Sequence, residues 1–126
     1  MTKLNEDDKY ERILTNCARE KGIEFHDYSI QLPRDQRSSE SDVNHREVEV
    51  TATLSKEQMC IVNSNMLIYD SPNKLTEQAR FYALTCKGFP NNAVFQVSVK
   101  NTGATELKII GSSVYAIEAV VHILLS

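Results

Sequence analysis

The chain has no tryptophan, and its glycines, prolines and cysteines are few: four, three and three in 126 residues. So little glycine and proline excludes collagen-like and Pro/Gly-rich low-complexity chains. No stretch approaches the roughly 20 consecutive apolar residues that a membrane helix needs, so no membrane span is expected. The first eleven residues, Met1 to Glu11, are charged and have no apolar segment of the kind that marks a secretory leader. Without tryptophan, and with most of the five tyrosines and four phenylalanines at core-pattern positions, an aromatic platform for stacking bases is not expected.

Chemistry-bearing motifs are missing too. The chain contains no GxSxG, P-loop, GxGxxG or HExxH pattern. Cys17, Cys60 and Cys86 are 43 and 26 residues apart, so no zinc-ligand spacing occurs. Each sits where the apolar pattern expects a core residue, which reads as three buried, reduced thiols and an intracellular, reducing compartment, cytoplasm or nucleus. His26, His45 and His122 are scattered. His26 reads as a satisfied, partly buried strand histidine, and His122 as an i,i+4 partner of Glu118. The acid pairs Asp7–Asp8 and Glu47/Glu49 read as helix-end and solvent-face charges. No enzyme, metal or cofactor is therefore expected.

What is present suits one globular domain over residues 1–126: 41% hydrophobic, 25% charged, net charge −3. Asn5 is placed to cap a first helix, whose apolar stripe is Tyr10, Ile13, Leu14, Cys17 and Ala18 and whose end is Gly22. Ile23–Leu32 reads as a strand with His26, Tyr28, Ile30 and Leu32 on one face. Pro33–Arg46 has fourteen residues and a single aliphatic, Val43; its three arginines and three acids cancel, and it reads as a disordered loop. Val48, Val50, Ala52 and Leu54 then alternate with polar residues, as in a half-exposed antiparallel strand. Ser55–Gln58 reads as a turn, and 59–62 with 66–69 as an irregular strand or small hairpin split by Asn63–Asn65. Asp70, Ser71 and Pro72 start a helix with Leu75, Ala79, Tyr82, Ala83 and Cys86 inward, ended by Lys87 and Gly88. Ala93, Phe95, Val97 and Val99 alternate, Asn101–Gly103 turns, and Glu106–Ile110 returns. The fold class expected is α+β, an antiparallel sheet with helices on one face, in the order α-β-β-β(β)-α-β-β-α.

The last helix, Val114–Leu125, is apolar nearly all round, with only Glu118 and His122 as a polar ridge. Such a helix is either enclosed as a central core helix or part of an interface. The interface reading assigns Val114, Ile117, Val121, Leu124 and Leu125 to a protein partner or a second copy. Charge is uneven: residues 1–69 carry 9 basic and 13 acidic groups, and residues 70–126 carry 5 and 4. The acidic balance disfavours nonspecific nucleic-acid binding. Lys74, Arg80 and Lys87 ride one helix, which reads either as an ordinary solvated face or as a local basic patch.

The strand Glu47–Leu54, the short strand expected after it, and the helix after Ser71–Lys74 with Ala79 and Ala83 inward give residues 6–87 an order that resembles the double-stranded RNA-binding domain. Residues 94–99, 111–114 and the last helix are similar to the C-terminal β-β-α of the same family. The resemblance implies RNA contact through lysines at the start of the last helix, a position where this chain offers Lys74, or none in the second arrangement. Degenerate members of that family contact proteins instead. The function expected is thus a non-catalytic module docking onto a protein partner, in an RNA-handling complex. The alternatives are duplex-RNA binding through Lys74, Arg80 and Lys87, and a small adaptor or complex subunit unrelated to RNA.

Overall fold

A computed structural model describes residues 2–31 and 47–126. The loop expected at Pro33–Arg46, the residue Leu32, and the side chains of Tyr10 and Ile30 lie outside the described residues. The elements run α1 (Thr2–Lys21), β1 (Glu24–Gln31), β2 (Glu47–Thr53), α2 (Lys56–Ile68), α3 (Pro72–Cys86), β3 (Val97–Gly103), β4 (Glu106–Gly111) and α4 (Val114–Leu124). The four strands form one antiparallel sheet in the order β1-β2-β4-β3. The α+β class is as expected.

Side-chain alternation decides which face of the sheet the helices cover. Val48, Val50 and Ala52 on β2, and Leu107 and Ile109 on β4, are buried, while Glu47, Glu49, Lys108 and Ile110 lie on the other side. α4 crosses the buried face, contacting β2, β3 and β4, with α1 and α3 on its flanks. This makes α4 the centre of the core. Val114, Ile117, Val121 and Leu124 are between 0% and 4% exposed and Leu125 is half-buried. The interface assigned to them is therefore corrected: in the folded chain these side chains are interior. A helix with a sheet below and a helix on each side needs apolar residues around most of its circumference.

Local chemistry explains the element ends. Gly22 ends α1 with φ of 69°, a left-handed conformation that glycine adopts without a Cβ penalty. α1 begins at Thr2, so Asn5 lies inside the helix and is not its cap. Ser71 accepts from Lys74 N and Ser113 from Ala116 N, each capping the helix that follows. Ser112, also buried, ties the chain before β3 to the end of β4. Its hydroxyl accepts from Gln96 N at 3.0 Å and donates to Val94 O at 3.3 Å.

Three expectations change. The segment read as a turn and hairpin, residues 55–69, is α2. Ser55 and Gln58 form a capping box, with each side chain bonded to the other's backbone N–H. Met59, Val62 and Met66 then fall on one helical face, so the third strand of the α-β-β-β-α order over 6–87 is a helix. Among the described side chains of β1, Phe25 is buried and Tyr28 is exposed, while His26 is half-buried and hydrogen-bonded, as expected of it. A bulge between His26 and Ser29, with Asp27 at φ of 56°, shifts the register by one, so Phe25 faces Ala52 and Ile30 faces Val48. Finally, Cys17 is buried but Cys60 and Cys86 are exposed, and all three are free thiols. Cys60 lies on the outer side of α2, and Cys86 is the last residue of α3, past the buried stripe.

Candidate functional site

Polar chemistry collects first along the outer ridge of α4, in the seam between α1 and α3. His122 and Glu118 do not pair with each other there. His122 Nδ1 lies 3.0 Å from Lys21 Nζ, and its ring stacks on Tyr82 with centroids 4.1 Å apart and planes 13° from parallel. Glu118 Oε2 lies 3.4 Å from Lys87 Nζ. Burial pushes the His122 pKa down, and the Lys21 and Lys87 cations push it further, with Glu20 opposing. Both effects favour the neutral ring, whose Nδ1 can take a hydrogen bond from the Lys21 ammonium. Glu118 raises the Lys87 pKa, and burial raises that of Tyr82. The buried thiol of Cys17 is pushed up to about 12 by burial and then by Glu118, so it stays protonated and is no nucleophile. The seam fastens three helices through paired charges and a stacked ring.

A second constellation appears at the β1 bulge. His26 Nδ1 is 3.2 Å from Asp27 Oδ2, and His26 Nε2 is 2.8 Å from Thr53 Oγ1. Hydroxyl, imidazole and carboxylate are in series, as in a nucleophile–base–acid set. Its surroundings suit a strand tie better than catalysis. Asp27 is 79% exposed, and the register sets Thr53 between Glu24 and Glu106, whose charge opposes an alkoxide. A groove of about 380 Å³ includes Glu47, Gln96, Ser98 and Ser112, and one of about 270 Å³ includes Met66, Tyr69, Leu75, Val97 and Val99; neither is lined by His26, Asp27 or Thr53.

The three basic candidates are not gathered into one patch. Successive helical residues turn about 100°, which sets Arg80 and Lys87 about 20° apart but Lys74 about 120–140° away, with Lys74 and Lys87 about 20 Å apart along the axis. Each is also engaged locally. Lys74 pairs with Asp70 at 3.1 Å, Arg80 donates to Asn91 O at 3.1 Å, and Lys87 pairs with Glu118. Among the described residues no group of three His, Cys, Asp or Glu is placed to hold a metal ion, and no helix is long and apolar enough to cross a membrane.

The surface that the sequence reading missed is on α2. This helix braces one end of the domain: Gln58 Nε2 donates to Lys21 O at 2.9 Å and Asn65 Nδ2 to Leu124 O at 2.7 Å, satisfying carbonyls at the ends of α1 and α4. Met59 and Val62 face inward. On the opposite side Ile61, Leu67 and Ile68 are 42%, 81% and 65% exposed, with Cys60 also exposed. With Ser64 they span an arc of about 120°, a second apolar stripe facing solvent. The signal for it was the Ser55–Gln58 capping box; read as a helix, the same residues show both stripes. Comparison with protein-family models, curated proteins and solved structures finds no match to this chain.

Proposed function

We propose that this chain is a non-catalytic protein-interaction module whose docking surface is the outer face of α2. One observation carries the reading: Leu67 and Ile68, two large aliphatic side chains, stand 81% and 65% exposed on a helix whose other side is already seated on the core. Clustered exposed apolar side chains rimmed by polar residues are a mark of protein contact. The rim here is Lys56, Glu57, Asn63 and Asp70. Protein contact is also what a resemblance to degenerate double-stranded RNA-binding domains implies, although the short strand that helped carry that resemblance is the helix α2. Duplex-RNA binding draws less support, since Lys74, Arg80 and Lys87 are each engaged locally and Lys74 lies well around the helix from the other two.

Site-specific photo-crosslinking tests this. A benzophenone side chain at position 67 should give discrete protein adducts in cell extract, lost when Ile68→Asp is added, while the same group at Glu49 on the open sheet face gives none. Equal adducts from both positions would defeat the reading. Duplex-RNA binding that weakens steeply with salt would replace it.

A further inference from the structure

We propose that the free edge of β3, with the groove beside it, takes an extended peptide as an added strand, antiparallel to β3, in which an acidic residue is followed at once by a large apolar one. This site is separate from the outer face of α2 and does not depend on the reading given to that face.

The sheet has two edges, and they differ. β1 is broken by the bulge at Asp27, a device that blunts an edge against further pairing. β3 pairs with β4 without interruption from Val97 to Asn101. Its backbone groups alternate in direction. Gln96 O accepts from Ser112 N, so Gln96, Ser98 and Lys100 turn their backbone groups towards β4, and Val97, Val99 and Asn101 turn theirs outward. The hydroxyl of Thr76 on α3 donates to Val97 O at 3.1 Å. Among the described residues nothing bonds to the outward backbone groups of Val99 and Asn101. Two donors and two acceptors therefore stand in the spacing of a strand ladder, which an extended main chain matches.

Side chains set the sequence of that strand. Val99 is on the helix-covered face, and the groove of about 270 Å³ beside it has Met66, Tyr69 and Leu75 as its apolar wall. A residue opposite Val99 sends its side chain to the same face, into that groove, so an apolar one fits. Lys100 is on the open face, directly across from Lys108, a placement in which like charges repel. Lys108 is held by Glu49 at 2.7 Å, but among the described residues Lys100 has no partner. An added residue opposite Lys100 falls in a non-hydrogen-bonded pair, where side chains come closest. A carboxylate there neutralises Lys100 as Glu49 does Lys108. Antiparallel pairing puts this acid immediately before the apolar residue. A contact of four main-chain bonds and one filled groove is a weak, transient one.

Heteronuclear NMR titration of the isotope-labelled full chain tests this, with the end-blocked peptide Ser-Thr-Glu-Ile-Thr-Ser as probe, up to about 5 mM. The Val99 and Asn101 amides should shift downfield and gain protection from solvent exchange, while those of Leu67 and Ile68 stay unmoved. N-methylation of the peptide's isoleucine nitrogen removes the donor to Val99 O and should weaken binding about tenfold. Lysine in place of the peptide's glutamate should weaken it about two- to fivefold, and Lys100→Glu, a change at an exposed side chain, should reverse that preference. Val99 and Asn101 amides that stay unmoved at the highest concentration, equal binding of the N-methylated peptide, or a preference for glutamate that survives Lys100→Glu overturns the strand addition. None of these results bears on α2, whose docking reading is decided by the position-67 adducts.

Discussion

Replacing Ile117 with alanine should cost far more stability than any surface change on α2, because α4 is the centre of the core. Ile117 is 0% exposed, and its Cδ1 lies 3.1 Å from where a Cβ on Gly111 would sit, so it packs down onto β4. Isoleucine-to-alanine changes at buried sites cost about 2–5 kcal/mol, more where the surroundings cannot collapse into the cavity. Here the walls are a four-stranded sheet below and helices on both flanks, which places the cost at about 3–5 kcal/mol. In a domain of this size each kcal/mol lowers the melting temperature by about 4 °C, giving a fall of about 12–20 °C. That consumes much of the roughly 5–15 kcal/mol that holds such a domain folded. Ile117→Val, at about 0.5–1.5 kcal/mol, keeps the series measurable if the alanine variant unfolds. Leu67→Ala is the counterpart, 81% exposed and expected within about 0.5 kcal/mol of the parent. The assay is urea unfolding at low micromolar protein, with midpoint and slope fitted together. An Ile117→Ala cost below about 1 kcal/mol, or a Leu67→Ala cost that equals it, would refute the placement of α4 inside and the outer face of α2 outside.

Three further outcomes follow from single contacts. Gly111→Ala should destabilise by about 1–3 kcal/mol in the same unfolding assay, since the new Cβ meets Ala116 Cβ and Ile117 Cδ1 at 3.1 Å in a closed core. His122 has a folded pKa below its ordinary 6.5, so its contribution is present above that value and is lost as pH falls towards the folded one; in melting curves between about pH 7.5 and 5, His122→Phe, which keeps a ring on Tyr82, should lose less stability on acidification than the parent. Thiol titration of the native chain should count two rapidly reacting cysteines, Cys60 and Cys86, with Cys17 appearing only in denaturant; three fast thiols would contradict the burial of Cys17 and its pKa of about 12.

Much of the architecture was legible where two independent signals agreed. Strand β2 alternates Val48, Val50 and Ala52 with polar residues, and helix α3 joins an apolar stripe to a Ser71–Pro72 start; both formed as read, except that Cys86 at the end of the α3 stripe is exposed. Reading failed where one residue changes the phase. The bulge at Asp27 moves the buried position of β1 to Phe25, and no strict period of two survives such an insertion. It also failed at α2, where Asn63, Ser64 and Asn65 looked like a break. In the helix Asn65 bridges to the carboxyl end of α4 and Ser64 faces out, so two of these polar residues are accommodated without ending it. The polar seam was out of reach for another reason: Lys21 and His122 are 101 positions apart, and only the packing of α1 beside α4 brings them to 3.0 Å.

The two helices that misled the reading did so in opposite directions, and the reason bears on function. Apolar content alone pointed to α4, on the premise that a helix on a sheet buries one side and leaves the other wet. That premise fails when helices stand beside it: α1 and α3 cover the flanks of α4 and leave only a ridge, whose Glu118 and His122 are then held by Lys87, Lys21 and Tyr82. α2 is less apolar and shorter of neighbours. It lies at the end of the domain, fixed on one side by Met59 and Val62 and at its rim by Gln58 and Asn65. Nothing among the described residues covers Leu67 or Ile68. Two aliphatic side chains left in water on a helix that is otherwise well anchored add nothing to the folding of the domain itself, since burial is what makes such side chains stabilising. Their benefit arises only when a second surface removes them from water, which is why α2, and not the more apolar α4, is the helix on which a partner is to be sought.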